Sequence, residues 1–312
     1  MRIVFMGTPD FAVPSLDILN HSEHQIVGVI TSPDSLGGRG GKVLLQSPIK
    51  QYAVEHGLNI LQPTNLKSPS FLTELRSLSA DLQIVVAFRM LPEVVWNMPP
   101  LGTFNLHGSL LPKYRGAAPI HHAVMNGDVE TGVTSFKLRH VIDTGDVLIQ
   151  RKLSIAASDT TGIVHDKMMT LGAEVIFDTV QIISKTPREE LEKLFHPQND
   201  ALVSEAPKLF HHNTKLDFDK EAKTVYNKVR GLNPYPLAWC IISGKETKIL
   251  TAEYVIISSD KKPYETETDH KKYLHIYCTN GYLSILTLKP EGKRSMTIGE
   301  FLNGTNEVLT IT

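Results

Sequence analysis

Residues 2–31 read RIVFMGTPDFAVPSLDILNHSEHQIVGVIT. Arg2–Met6 is a short apolar, β-rich run, Thr8-Pro9-Asp10 breaks it, Phe11–Ser22 suits a helix, and Gln25–Thr31 is β-rich again. The alternation continues downstream. Helix-compatible stretches at Ser47–Glu55 and Pro69–Leu78 lie among further β-rich runs at Gln83–Phe88, Thr103–Leu106 and Gly132–Leu138. Strands separated by helices at this spacing need crossover connections, so an α/β fold with a doubly wound, mostly parallel sheet is expected.

Beyond these runs the pattern changes twice. Asp159-Thr160-Thr161 precedes Gly162–Lys185, whose Ile163, Val164, Met168, Leu171, Val175, Ile176, Val180 and Ile183 recur at helical spacing and predict a long helix closing a first domain, 1–186. Residues 187–206 are polar and broken by Pro187 and Pro197, which reads as a linker. From 207 to 312 a short helix over Lys220–Arg230 is followed by β-rich segments at Ala238–Ile242, Thr247–Ile257, Leu274–Cys278 and Tyr282–Leu288, with Asn280-Gly281 as a hairpin signal. A smaller C-terminal antiparallel barrel of the OB-like kind is expected there, a form common among nucleic-acid readers.

Composition restricts the function classes. With 312 residues, 41% of them hydrophobic and 21% charged, the chain has the profile of a soluble globular protein. Cys240 and Cys278 are the only cysteines, too few for a disulfide framework, and the apolar run at the N-terminus is too short for a secretory signal. A cytoplasmic protein without membrane attachment is expected. The net charge of −1 gives no general pull on a polyanion, so a nucleic-acid partner would need local basic groups. His121-His122, His140 and His211-His212 lack metal-ligand spacing, and no metal is expected.

The densest chemistry is Phe104-Asn105-Leu106-His107-Gly108-Ser109-Leu110-Leu111-Pro112-Lys113-Tyr114-Arg115-Gly116-Ala117-Ala118-Pro119. On an extended chain Asn105 and His107 project to one side, and the strand pattern ends at Gly108, which puts both at a C-terminal strand edge where open α/β sheets bind ligands. An amide beside an imidazole suits a tetrahedral oxyanion. No Gly-x-Ser-x-Gly elbow surrounds Ser109, so direct transfer between two bound substrates fits better than an acyl-enzyme. Taken alone, Asn105 reads equally as a turn cap and His107 as a packed histidine. Asp143 and Asp146 both read as turn residues, and either carboxylate is a candidate.

Together with Glu130-Thr131-Gly132-Val133-Thr134 and Asp143-Thr144-Gly145-Asp146, the Asn105–Pro119 stretch closely resembles the methionyl-tRNA formyltransferases of the 10-formyltetrahydrofolate-using formyltransferase family. The resemblance implies a Rossmann-like catalytic domain and a catalytic trio of Asn105, His107 and Asp143. It implies folate contacts at Ser109, Leu110, Leu111 and Pro112 and along the Phe88, Met90, Leu91 loop, where Phe88-Arg89 replaces the family's frequent Tyr-Gly. Arg39 and Lys42, in Gly37-Gly38-Arg39-Gly40-Gly41-Lys42, match a loop that reaches the transfer RNA acceptor end, and Lys289, Lys293 and Arg294 match the end of the C-terminal barrel. The partners implied are folate and methionyl initiator tRNA, with a monomeric protein. Glycinamide ribonucleotide and sugar-nucleotide formyltransferases share the trio. The former normally lack a second domain, and the latter tend to carry Arg where this chain has Ala117.

Overall fold

The computed structural model describes residues 1–37, 43–304 and 309–312. Seven strands form the larger sheet: β1 (Arg2–Gly7), β2 (Gln25–Ile30), β3 (Ile60–Leu61), β4 (Leu82–Val86), β5 (Thr103–His107), β6 (Glu130–Lys137) and β7 (Val147–Ser154), in the order β7-β6-β5-β4-β1-β2-β3. β1 pairs in parallel with β2 and β4, β2 with β3, and β4 with β5, whereas β6 runs antiparallel to β5. The mostly parallel doubly wound sheet expected from the alternation is therefore present.

Helices α1 (Val13–Asn20), α2 (Pro48–Glu55) and α3 (Pro69–Ser77) connect the first strands. Each carries Pro at its first or second position, where the missing N–H would have no partner anyway. The Ser47 hydroxyl caps α2 by accepting from Lys50 N at 3.0 Å. Nearly every residue of β1 and β4 is buried, so both faces of the sheet are covered, as a parallel sheet requires. On one face Val4, Met6, Ile30 and Val85 pack with Phe71 and Leu75 of α3. On another, the long helix α4 (Thr161–Lys185) buries Met168, Val175, Ile176, Val180 and Ile183.

The structure departs from the sequence expectation in four places within this region. β3 is two residues long, too short to show a period, and β7 carries Gln150, Arg151 and Lys152, the polarity of an edge strand. The run at Gln83–Phe88 stops as a strand at Val86, because Ala87 takes a positive φ of 48°. Residues 187–206 are not a free connection: Leu191 is buried, the Phe195 ring lies 5.8 Å from that of Phe104, and His196 exchanges two backbone hydrogen bonds with Val147.

Backbone contacts divide the chain into two compact units, Met1–Gly116 with Gly132–Leu153 and His165–Glu205, and Ala117–Thr131 with Ser154–Val164 and Ala206–Thr312. The second unit thus draws in two segments from the region expected to lie wholly in the first domain. Its centre is α5 (Ala222–Gly231), whose Ala222, Val225 and Val229 are buried with Phe218 and Leu283. Gly231 permits a close approach to residues 119–125, since a Cβ there would lie 2.8 Å from Met125 N.

Around α5 run β8 (Ala238–Ile242), β9 (Lys245–Ile256), β10 (Thr266–Thr268), β11 (Leu274–Cys278) and β12 (Gly281–Pro290), paired antiparallel in the order β8-β9-β12-β11-β10. The C-terminal tail bridges the two edge strands: Thr312 exchanges hydrogen bonds with Ile241, and Thr266 Oγ1 donates to Leu309 O at 3.1 Å. The expected hairpin exists, but Cys278 pairs with Gly281, so Thr279-Asn280 make the turn and Gly281 begins the strand. Glycine is needed there because a Cβ would lie 1.9 Å from Val255 O. Cys240 and Cys278 are free thiols inside this unit, both pushed up to about 12 by burial and so inert. No helix among the described residues is long and apolar enough to cross a membrane.

Gly132 is a tight point between β6 and its neighbours, with a hypothetical Cβ 2.1 Å from Arg151 O and 2.5 Å from Leu110 Cδ2. Gly132→Ala is expected to destabilise the protein by roughly 1–3 kcal/mol, as overpacking against backbone does. Urea unfolding checks this, and an unchanged midpoint would show that the strands part freely.

Candidate active site

His107 is the last residue of β5, and Asn105 precedes it by two, so their side chains leave the same face of the strand. Leu106 faces the other way, toward Gly172 of α4, where a Cβ would lie 2.6 Å from Leu106 Cδ2. Val85 and Val86 of β4 are register partners of Asn105 and Leu106, so the loop that begins at Ala87 starts beside His107. On the other flank His107 pairs with Thr134 of the antiparallel strand β6.

The imidazole is buried, and its Nε2 lies 2.8 Å from Tyr114 O. A carbonyl can only accept, so Nε2 carries the proton, and in the neutral ring Nδ1 keeps its lone pair. Nδ1 faces Asp143 Oδ2 at 3.8 Å. That is beyond hydrogen-bond length but close enough to stabilise an imidazolium once Nδ1 takes a proton. Asp143 is itself buried, has a φ of 55°, and accepts from Gly116 N at 2.9 Å.

By residue type alone Asp143 and Asp146 are equal candidates and the resemblance favours Asp143; the structure gives the two different surroundings. The Asp146 carboxylate is ion-paired with Arg139, and Asp143 is the one beside His107. The Asn105 side chain is half-buried, and its amide has no hydrogen-bond partner among the described residues. An uncommitted amide donor, an imidazole with one nitrogen outside any hydrogen bond and a carboxylate facing that nitrogen therefore meet at one strand end. Such a set can hold an oxyanion and move a proton, and it contains no activated nucleophile.

The segment after His107 is pinned from β6 and β7. Ser109 Oγ donates to Lys113 O at 2.6 Å, and Thr134 Oγ1 donates to Ser109 O at 2.6 Å. Leu111 N donates to Thr134 Oγ1 at 3.1 Å, and Gln150 Nε2 donates to Leu111 O at 2.7 Å. Ser109 thus spends its hydroxyl closing the turn. Leu111 and Pro112 are buried, while Leu110 is half-exposed.

In the neighbouring loop Phe88 and Leu91 pack against the core, but Met90 is 76% exposed. Arg89 fastens this loop by donating to Thr64 O at 3.0 Å and to Pro63 O, with its guanidinium 5.7 Å from the Phe88 ring centre. A residue unlike the family's glycine therefore has a definite job, tying the exit of β4 to the exit of β3.

The basic residues behave differently from one another. Arg39 and Lys42 lie outside the described residues; the flanking segments Ser35–Gly37 and Val43–Leu45 pair antiparallel and expose Leu36 and Leu44. Lys289 is exposed and stands opposite Lys248 across the β9–β12 ladder. Lys293 is exposed, and Arg294 is bound to Glu300 at 2.7 Å. Asp17, His21 and His56 bring ligand atoms within 4.8 Å of one another. His21 and His56 each rest Nδ1 on a backbone carbonyl, at 3.0 and 2.9 Å.

Sequence reading missed the groups that hold the site: Tyr114, Thr134, Gln150, Arg115 and Gln198. Gln198 Nε2 donates to Asp143 O and Gly145 O, both at 2.8 Å, and its Oε1 accepts from Arg115 at 3.1 and 2.7 Å. All but Tyr114 act across a long sequence separation, and Tyr114, Arg115 and Thr134 stand inside the quoted motifs.

The formyl transferase family model matches residues 1–180, and the formyl transferase C-terminal domain model matches residues 208–306. The methionyl-tRNA formyltransferase of Parabacteroides distasonis is 49% identical over 324 aligned positions, covering 100% of this chain and 98% of that protein. Among solved structures, an N-formyltransferase from Helicobacter canadensis, in complex with folinic acid and dTDP-3-aminofucose, is similar in fold with a TM-score of 0.66 at 21% identity, covering 91% of this chain and 97% of that one. A methionyl-tRNA formyltransferase from Clostridium thermocellum shares the fold with a TM-score of 0.54 at 14% identity, covering 84% and 95%.

The contact with Tyr114 O specifies one tautomer for neutral His107. Nitrogen NMR of the labelled imidazole is expected to show the Nε2–H form, and an Nδ1–H pattern would contradict the geometry.

Proposed function

The chain belongs to the formyl transferase family, and from that premise we propose that it moves the formyl group of 10-formyltetrahydrofolate to the amino group of methionyl initiator tRNA. The reading rests on one observation above others: the free amide of Asn105 and the Nδ1 of His107, which makes no hydrogen bond, share a strand end, with Asp143 Oδ2 3.8 Å from that nitrogen. The attacking amine forms a new C–N bond to the formyl carbon and pushes the carbonyl electrons onto oxygen. Asn105 donates its amide hydrogen to that oxyanion. His107 accepts the amine's proton on Nδ1, and Asp143 stabilises the resulting imidazolium. Collapse of the oxyanion breaks the bond to N10 of the folate, which recovers the proton from His107, so the site ends as it began.

In this reading residues 1–186 carry the transfer, with Ser109–Pro112 and Phe88–Leu91 as the pterin wall. Residues 207–312 contribute Lys289, Lys293 and Arg294 to tRNA phosphates, and Arg39 and Lys42 meet the acceptor end. The enzyme works as a cytoplasmic monomer without a bound metal.

Purified protein with 10-formyltetrahydrofolate and methionyl initiator tRNA is expected to yield formylmethionyl-tRNA, with no loss of rate in chelator. Turnover of a sugar-nucleotide amine in its place would overturn the acceptor assignment. Asp143→Asn keeps the shape but removes the charge facing His107, and should lower kcat by about 100- to 10,000-fold. Full activity in that variant removes Asp143 from the mechanism. Arg39→Ala should impair use of tRNA more than slow hydrolysis of the formyl donor, and equal losses in both would place Arg39 elsewhere.

A further inference from the structure

We propose that Gln198 is a positioning residue for formyl transfer, holding the Asp143 loop at the distance His107 requires; this rests on the formyl-transfer reading above. Asp146 ties the end of the loop to Arg139 and Lys137 N, and Thr144 Oγ1 donates to Val141 O at 2.9 Å, but the main chain at Asp143 itself is held from outside the loop by Gln198. Val141 and Ile142 are 65% and 60% exposed, Thr144 N reaches Val141 O only at 3.4 Å, and Asp143 sits at a positive φ. A side chain in that backbone region keeps its place only when its surroundings over-determine it.

Gln198 supplies that determination. Both Nε2 hydrogens are used, one on Asp143 O and one on Gly145 O, and Oε1 takes two hydrogens from Arg115. The orientation of the amide follows from chemistry, because the two carbonyls need donors and a guanidinium needs an acceptor. Arg115 is the neighbour of Gly116, whose N–H grips Asp143 Oδ2. One corner of the chain therefore holds the aspartate twice, by its side chain directly and by its main chain through Gln198. Gly145 completes the seat, since a Cβ there would lie 1.7 Å from Lys137 O.

Gln198 hydrogen-bonds the main-chain carbonyls of the loop and neither the imidazole nor the Asp143 carboxylate, so its effect on the reaction passes through the loop. Gln198→Glu preserves size and the contact with Arg115, but its carboxylate has no hydrogen to donate and sets negative oxygen against two carbonyls. Gln198→Met removes the hydrogen bonds without adding charge. Both are expected to lower kcat about 10- to 100-fold, the cost of a small misplacement at a reacting centre, while the KM values for 10-formyltetrahydrofolate and methionyl-tRNA stay near those of the parent. Hydrogen exchange of the Gly116 amide, followed by NMR without substrates, should be faster in both variants because its acceptor has moved. An unchanged kcat in the Glu variant, or a Gly116 amide as protected as in the parent, overturns the proposal. If the parent itself forms no formylmethionyl-tRNA, the functional reading fails, and the Gly116 exchange still decides whether Gln198 holds the loop.

Discussion

Because a carbonyl oxygen can only accept, the 2.8 Å contact between His107 Nε2 and Tyr114 O puts the proton of the neutral imidazole on Nε2 and leaves Nδ1 as the one nitrogen open to chemistry. The contact demands that the chain turn back on itself within seven residues of the strand end. Tyr114 takes a positive φ of 60° to do so, and its N–H is held by Ser204 Oγ at 2.9 Å. The turn is braced by Thr134, the register partner of His107 on the antiparallel strand β6, whose hydroxyl donates to Ser109 O and so secures the segment after the histidine.

The same geometry sorts the two aspartates by task. Both lie in one short loop, and nothing in their residue type separates them. Arg139 takes Asp146, which leaves Asp143 to face the imidazole in a buried setting where a charge acts with little screening. The Asp143 carboxylate stands 3.8 Å from Nδ1, beyond hydrogen-bond length, so the Nδ1 lone pair is not engaged by it. The amide of Asn105 lies on the same strand as His107.

Several features of the site were readable before any coordinates. Asn105 and His107 follow from the two-residue repeat of an extended chain and from the break at Gly108, and the long helix over 161–185 follows from its apolar period. The choice between Asp143 and Asp146 was not readable from the residues, since it depends on where Arg139 reaches. The resemblance put Ser109 in a folate-contacting segment, and what its hydroxyl does there, donating to Lys113 O, was not readable from the sequence. The polarity of residues 187–206 suggested a loose connection, but a polar segment can be held by hydrogen bonds that leave no periodic trace, as Gln198 and His196 are.

Local chemistry in the sequence determined the element types: the alternation of β-rich and helical runs, the prolines that open α1, α2 and α3, and the hairpin near Asn280. It also determined which side chains could do the work, because residue type and spacing along one strand are properties of neighbours in the chain. Tertiary structure decided which of them meet. The pairing of β6 against β5, the seat of Asp143 between Gly116 and Gln198, and the bridging of two edge strands by the C-terminal tail all join residues far apart in sequence. Such contacts depend on the packing of the whole chain, and that packing is not written in any single stretch of it.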